Sequence, residues 1–457
     1  MALDAILEHK RKELAERRAR TSLESLLAHA EPSRRSFAAA LRRGGPGFVL
    51  EIKCASPSAG IIRAGADLEP VLASYGRHAD AVSVLTDERF FGGSLARLAA
   101  VRQRLEQPLL AKDFFLEPYQ VAEARVHGAD AILLMLAAID DPTWRACTEL
   151  ATRLGMEVLT EIHDAAEAGR ALALGARTIG INNRDLRTLR VDSATVVKLA
   201  PRIPLDRLVI AESGYGSRED VAAASSSVDA FLVGSVLMAA QDPDAAVREL
   251  VYGRTKVCGL TRAEDAAAAA HAGATHGGLI FAEHSPRRVR LDAARAVRRA
   301  APLRWVGVFA DQDTEAIATT ARELGLTAVQ LHGAESPECV TELRRALPAP
   351  CEIWKAVRVA DRLPRRAETA ADRVLLDGPG TSQRFDWDLL AEYPERPAAV
   401  LAGGLRPENV TAAAALGTYA IDVSSGVERA PGEKDANRIE AFLRARRRLP
   451  GRGATTS

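Results

Sequence analysis

Cysteine is scarce and unpaired in this chain. Cys54, Cys147, Cys258, Cys339 and Cys351 stand singly, without the spacing of a zinc site or a dithiol redox motif, which suits a reducing cytoplasm. Long apolar runs are also lacking: the longest, Ala131 to Ile139, is far too short to cross a bilayer. No secretion signal is expected, because His9-Lys10-Arg11-Lys12 and Arg17-Arg18 interrupt the first twenty residues; an amphipathic helix is expected there instead. Charge of one sign is missing too. A net charge of +1 gives no field that would gather nucleic acid. The nine histidines lack ligand spacing on one helix, so nothing in them argues for a metal. The run Arg444-Ala-Arg-Arg-Arg448 reads as cations complementing the dipole of a last helix, and Gly451 to Ser457 as a frayed tail. These absences leave a cytoplasmic protein with no membrane or nucleic-acid partner. A monomer is compatible with them.

What is present is one repeated device. At 457 residues, 47% hydrophobic and 26% charged, the chain is long enough for two barrels of about 200–250 residues each. In Val49-Leu-Glu-Ile-Lys53 a short buried strand ends in two opposite charges, and Ser56-Pro57-Ser58 then breaks it. Residues two apart on a strand share a face, so Glu51 and Lys53 face the layer opposite Leu50 and Ile52. An edge-strand ion pair would look the same in isolation. Recurrence argues otherwise: Lys112-Asp113, Glu161, Asn182-Asn183, Glu212-Ser213 and Gly234-Ser235 close similar runs, each followed by a helical stretch.

Eight strands are predicted at 48–53, 81–86, 108–113, 130–136, 156–162, 178–183, 208–213 and 230–235. Helical periodicity follows each, as at Pro118 to His127 and Ala165 to Leu174, and Gly128, Gly155 and Gly175 stand where left-handed caps want glycine. The pattern restarts at Tyr252-Gly253-Arg254 with strands predicted at 255–260, 276–281, 304–309, 327–332, 352–357, 373–377, 398–402 and 420–424. The expected fold is α/β, two tandem (βα)8 TIM barrels spanning 1–253 and 254–457, the first with an extra N-terminal helical segment. The short joint has no proline- or serine-rich spacer, so the two units are expected to pack together.

In a barrel, chemistry gathers at the carboxyl ends of the strands. Glu51, Lys53, Lys112 and Glu161 would then supply proton donors and acceptors to one cavity, with neighbouring lysines lowering one another's pKa. Ser213-Gly214 and Gly234-Ser235, at the seventh and eighth strands, suit a phosphate held on backbone N–H groups.

The residues Glu51-Ile-Lys53 with Ala55-Ser56-Pro57-Ser58, Ser83 to Asp87, Lys112-Asp113-Phe114, Leu133 to Leu136, Leu159-Thr-Glu161, Gly180 to Leu186, Glu212-Ser-Gly214 and Gly234-Ser235 resemble indole-3-glycerol-phosphate synthase over the whole first half. The resemblance implies ring closure of 1-(2-carboxyphenylamino)-1-deoxyribulose 5-phosphate, with loss of carbon dioxide and water. It makes Lys112 the general acid and Glu161 its partner in the later proton transfers. Lys53 and Glu51 would stabilise the closing intermediate, the division of roles between the two lysines staying open. Asn182 and Ser213 would bind hydroxyls or orient the ring system, Arg184 would face the anthranilate portion, and Ser56, Gly214, Gly234 and Ser235 would hold the phosphate, with Glu212 counted among the binding residues. Cys54 departs from the family, which often has a basic residue there.

The second half opens with Lys256-Val-Cys-Gly-Leu-Thr261, and a cysteine at the catalytic face can act as a base if its surroundings favour the thiolate; the alternative is a small core residue. Asp377 closes the sixth strand on the same end. With Leu401-Ala-Gly-Gly-Leu405, Asp422-Val-Ser-Ser-Gly426, Gln330-Leu-His-Gly333 and Ser285-Pro-Arg287, this half resembles phosphoribosylanthranilate isomerase. The resemblance implies an Amadori rearrangement of N-(5-phosphoribosyl)anthranilate, with Asp377 as acid and Cys258 as base. Arg287 would bind the anthranilate carboxylate; Gly403, Gly404, Asp422 and Ser424 would line the phosphate site, and Gln330 and His332 would touch substrate. The loop Gly378 to Gln383 is shorter than the family's. An alternative therefore keeps the synthase and makes the second barrel a weak or inactive binding module. Another assigns both barrels to other phosphorylated sugars, whose enzymes would be expected to use paired aspartates or a metal.

Overall fold

The structure, a computed structural model, describes residues 2–57, 60–63, 68–185, 188–380 and 383–453. The chain forms two compact units, Met1–Val247 with Pro450–Ser457, and Arg248–Leu449.

In the first unit the helices Ala2–Arg20, Leu23–His29 and Phe37–Leu41 precede the barrel. Eight parallel strands follow: β1 (Gly47–Ile52), β2 (Ala81–Leu85), β3 (Leu109–Lys112), β4 (Ala131–Met135), β5 (Glu157–Ile162), β6 (Thr178–Asn182), β7 (Leu208–Glu212) and β8 (Ala230–Val233). They pair in chain order, and β1 closes on β8 with Gly47 opposite Ala230. The predicted strands lie within two residues of these, the polar residues Lys53, Asn183 and Ser213 falling just past the last ladder positions. Gly128, Gly155 and Gly175 take positive φ of 97°, 65° and 80°, as left-handed caps.

Strand alternation sets the site. Val49, Leu110, Leu159, Leu208, Ile210 and Leu232 belong to the packed core inside the barrel. Two residues further along the same inward rows come Glu51, Lys112, Glu161, Glu212 and, beyond Leu232, Gly234, with Lys53 two past Glu51. Four of these rows thus change from apolar to charged as they reach the carboxyl end.

The N-terminal helix buries only a narrow stripe, Ile6, Leu7, Lys10 and Leu14, rather than the broad apolar face expected of an amphipathic helix. Its central residue is a lysine. Lys10 Nζ lies 2.9 Å from carboxylate oxygens of Glu13, Asp87 and Asp113, tying the helix to the loops after β2 and β3. The C-terminal tail differs from expectation as well. Arg452 donates to the carbonyls of Pro204 at 2.6 Å and Arg207 at 2.9 Å, so the chain is anchored at least that far.

The second unit holds β9 (Thr255–Cys258), β10 (His276–Ile280), β11 (Arg304–Phe309), β12 (Ala328–Leu331), β13 (Glu352–Arg358), β14 (Arg373–Asp377), β15 (Val400–Leu401) and β16 (Ala420–Val423). It too is closed, with Lys256 of β9 opposite Asp422 of β16. Val306, Ala328, Trp354, Ala356, Leu375, Val400, Ala402 and Ala420 fill its core. Continuing these rows outward puts Gln330 and His332 above Ala328, and Asp377 above Leu375. A final helix, Ala436–Arg447, carries Arg444, Arg446 and Arg447 in its last turn, the end where the dipole favours cations. Among the described residues no helix is long and apolar enough to cross a membrane.

Candidate functional site

The first barrel opens into a cavity of about 490 Å³ whose walls include Glu51, Lys53, Lys112, Glu161, Asn182, Arg184, Ser213, Gly214, Gly234 and Ser235. Lys53 Nζ sits 2.7 Å from Glu51 Oε1. Lys112 Nζ is 2.5 Å from Glu212 Oε2, 3.7 Å from Glu51 Oε2 and 3.9 Å from Glu161 Oε2. Asn182 donates to Glu161 Oε1 at 3.2 Å and accepts from the backbone N–H of Arg184 at 2.9 Å. Phe91, Phe114, Leu133 and Met135 supply apolar wall, an environment for an aromatic ring beside the charges. Ser213 has φ of 63°, a conformation costly for a residue with a side chain, and Gly214 follows with φ of 89°. Gly234 packs against Glu51: a Cβ there would meet Glu51 Oε1 at 2.6 Å. Ser56 is not brought to the cavity wall; it lies on a two-residue strand, Ala55–Ser56, of the hairpin after β1. Ser58 and Leu186, part of the resemblance, lie outside the described residues.

The second barrel opens into a smaller cavity of about 280 Å³, walled by Cys258, Arg287, Gln330, His332, Asp377, Gly403, Gly404, Asp422 and Ser424. Every candidate residue of that half is therefore at one mouth. His332 Nε2 stands 3.6 Å from Asp377 Oδ2, and Gln330 Nε2 is 3.3 Å from His332 Nδ1. Gly403 and Gly404 both have positive φ, 84° and 61°. Arg287 is engaged by Glu428: its Nε lies 2.9 Å from Oε1 and its Nη2 2.7 Å from Oε2. Lys434 Nζ is 2.7 Å from the same carboxylate. In the floor the fully buried Lys256 donates to Asp422 Oδ2 at 2.8 Å and Gln330 Oε1 at 3.0 Å. Gly278 makes room for the thiol, since a Cβ there would come within 2.8 Å of Cys258 Sγ. Thr381 and Ser382 of the short loop lie outside the described residues. Those residues include no group of three or more His, Cys, Asp or Glu that could hold a metal ion.

Residues 3–250 match the family described as indole-3-glycerol phosphate synthase, and residues 255–445 the family described as N-(5'phosphoribosyl)anthranilate (PRA) isomerase. The tryptophan biosynthesis protein TrpCF of Yersinia pestis is 48% identical over 417 residues, covering 91% of this chain and 88% of that protein. The chain belongs to this bifunctional family. The protein of the same name from Vibrio parahaemolyticus is 44% identical over 452 residues, covering 97% and 93% of the two chains. A solved phosphoribosyl anthranilate isomerase from Thermus thermophilus is 38% identical, covers 42% of this chain and 97% of its own, and has a TM-score of 0.38. This is a tryptophan-biosynthesis enzyme with a synthase barrel followed by an isomerase barrel.

Electrostatics at the synthase mouth differ from expectation in one respect. Burial disfavours the Lys112 ammonium, but Glu212, Glu51 and Glu161 together outweigh burial and raise its pKa above the ordinary lysine value. The expected lowering by Lys53 is overridden because carboxylates outnumber ammonium groups around it. Burial would also raise Glu51, yet Lys53 and Lys112 hold it below the usual range. Glu161 and Glu212 are pushed apart. Burial acts on both, but the His163 imidazole and Lys112 bring Glu161 down, whereas Glu212 stays raised. His163 itself, although burial opposes its charge, is driven up to about 10 by Glu161 and Glu167.

At the isomerase mouth burial raises the Cys258 thiol, which Lys256 only partly offsets and Asp422 reinforces. The barrel's own charges thus favour the thiol over the thiolate, and the condition set for Cys258 as a base is not met by them alone. Burial likewise raises Asp422 against the pull of Lys256.

Several residues escaped the sequence reading. Lys10, Asp87 and Lys256 stood only inside longer runs with no role of their own, and His163, at a loop start, stood in none. His163 alone carried a usable signal, being two residues past Glu161 and so on the same face.

Proposed function

We propose that residues 254–457 isomerise N-(5-phosphoribosyl)anthranilate to 1-(2-carboxyphenylamino)-1-deoxyribulose 5-phosphate, and that residues 1–253 close and decarboxylate that product to indole-3-glycerol phosphate. In the synthase barrel Lys112 is the general acid and Glu161 its partner in proton transfer. Lys53 and Glu51 stabilise charge that develops as the ring closes, and Asn182 orients Glu161. Backbone N–H groups at Gly214, Gly234 and Ser235 hold the phosphate, with Ser213 and Arg184 at the sugar and anthranilate ends. In the isomerase barrel Asp377 protonates the ribose ring oxygen and Cys258 removes the C2 proton. Arg287 takes the anthranilate carboxylate, and Gly403, Gly404 and Ser424 hold the phosphate.

The observation that carries this reading is the position of Lys112, within 4 Å of the carboxylates of Glu212, Glu51 and Glu161 beside an apolar wall. Such a site keeps a proton donor loaded and provides acceptors within reach of one substrate. The test is to supply the purified chain with phosphoribosylanthranilate alone and follow indole-glycerol-phosphate fluorescence. Product without any added enzyme is expected. Accumulation of the ribulose intermediate would refute the synthase assignment, and unchanged substrate the isomerase assignment.

A further inference from the structure

His163 has no part in the roles assigned above. It follows β5, two residues after Glu161, and its side chain is 14% exposed. Its Nε2 lies 3.1 Å from Glu161 Oε1, and its Nδ1 is hydrogen-bonded to Glu167 Oε2 at 3.1 Å. The local sequence fixes the second contact. Asp164 caps the helix Ala165–Ala173 by accepting from Glu167 N at 2.9 Å, and the Glu167 carboxylate reaches back to accept from His163 N at 2.7 Å. A neutral imidazole offers one N–H and one lone pair. With a carboxylate facing each nitrogen, only the doubly protonated ring suits both.

Glu161 is faced by groups from four other strands. Lys112 of β3 lies 3.9 Å away and Asn182 of β6 donates at 3.2 Å, while Glu51 of β1 and Glu212 of β7 add like charge. Glu212 is buried at the same mouth and shares Lys112, which lies 2.5 Å from it and 3.9 Å from Glu161. Of the two, Glu161 takes the Asn182 amide and the His163 imidazole, and of these the imidazole is the group that can carry charge.

We propose that His163, clamped as an imidazolium between Glu161 and Glu167, is a positioning residue of the synthase that fixes Glu161 as the anionic member of the Glu161/Glu212 pair. It thereby decides which of two buried carboxylates is free to accept a proton from the substrate. The inference rests on the assignment of Glu161 as the proton-transfer partner of Lys112.

The test compares pH–rate profiles of the synthase step for Glu161→Gln, His163→Gln and Glu167→Gln, with the thermal midpoint of the synthase unit in each chain reporting that it is folded. Full synthase activity in Glu161→Gln would overturn the underlying reading, whatever His163 does. With Glu161 essential, loss of the cation lets its carboxyl protonate at higher pH. His163→Gln should move the acidic limb of kcat upward by about one pH unit, a loss of about tenfold on the acid side of the native limb that fades to nothing at neutral pH. KM should stay within about twofold, and Glu167→Gln should move the limb the same way by less. An unmoved limb, or a loss equal at every pH, would overturn the proposal. The 15N shifts of the His163 ring in the native chain, identified by their disappearance in His163→Gln, give a readout independent of activity. Both nitrogens should remain protonated at pH 8, and titration near the ordinary histidine value would overturn the proposal.

Discussion

The two mouths dispose of buried charge in different ways. In the synthase barrel Lys53, Lys112, Glu51 and Glu161 all line the cavity, and Glu212 holds Lys112 from its edge. In the isomerase barrel the charges fall into separate pairs: Lys256–Asp422 in the floor beside Cys258, and Arg287 and Lys434 on Glu428 at the rim. Asp377 faces His332 at 3.6 Å, apart from both. A decarboxylating ring closure moves charge through several steps and gains from a network, whereas an Amadori rearrangement needs one acid and one base. The difference teaches that removing one group should disturb its neighbours in the first barrel and act alone in the second.

The largest effect is expected from Lys112→Ala. It removes the proposed proton donor and leaves three carboxylates facing each other, so the synthase step should fall by about 10³-fold or more while the isomerase step stays within about twofold. Equal loss of both steps would mean that the two sites are not separable. Next come Asp377→Asn and Cys258→Ala, each expected to lower the isomerase step by about 10²–10⁴-fold, with synthase activity on its own substrate untouched. Retained isomerase activity in both would remove the second site from the account.

Lys10→Met turns the comparison toward stability. Its ammonium is buried, as are its partners Asp87 and Asp113, and truncation leaves two carboxylates uncompensated. A loss of about 3–5 kcal/mol is expected, read as a lower thermal midpoint for the synthase unit only. Burial works against the Lys10 charge, but Asp113 and Asp87 raise its pKa above the lysine value. The stabilisation is therefore complete below the unfolded pKa and disappears only in strong alkali, so the difference from the native chain should be flat from pH 6 to pH 9. A difference that varies across that range would show that the aspartates are not ionised partners.

These residues also mark where the sequence stopped being readable. Strand positions were legible because inward rows repeat every second residue and end in a polar side chain, as in Val49-Leu-Glu-Ile-Lys53. The same rule brought Lys112 and Glu161 to one cavity. It says nothing of Ser56, which rested on the resemblance and lies in the hairpin after β1, beyond the strand's alternation. Lys10 was illegible for another reason: its partners lie 77 and 103 positions away, and nothing local distinguishes it from solvated lysines such as Lys12. The rise in Lys112's pKa was missed because two strand-end lysines suggest repulsion, while the count of carboxylates facing them depends on closure of the barrel.

The smallest effect expected concerns Glu428→Gln, and it asks what the rim pair of the isomerase is for. Glu428 takes one N–H each from Nε and Nη2 of Arg287, leaving the second Nη2 hydrogen and both on Nη1 to donate, and also accepts from Lys434. If the carboxylate aims Arg287 at the substrate, glutamine keeps part of the contact but loses the charge that holds the guanidinium still. KM for the isomerase step should then rise by about tenfold with kcat nearly constant, since binding is weakened equally in ground and transition states. If Glu428 instead competes with the anthranilate carboxylate for Arg287, KM should fall. The aimed arrangement is favoured because both contacts of Glu428 with Arg287 are near 3 Å while Lys434 neutralises the carboxylate from its other side. A falling KM would therefore give the isomerase mouth the interdependence argued for the synthase alone, and would end the contrast between them.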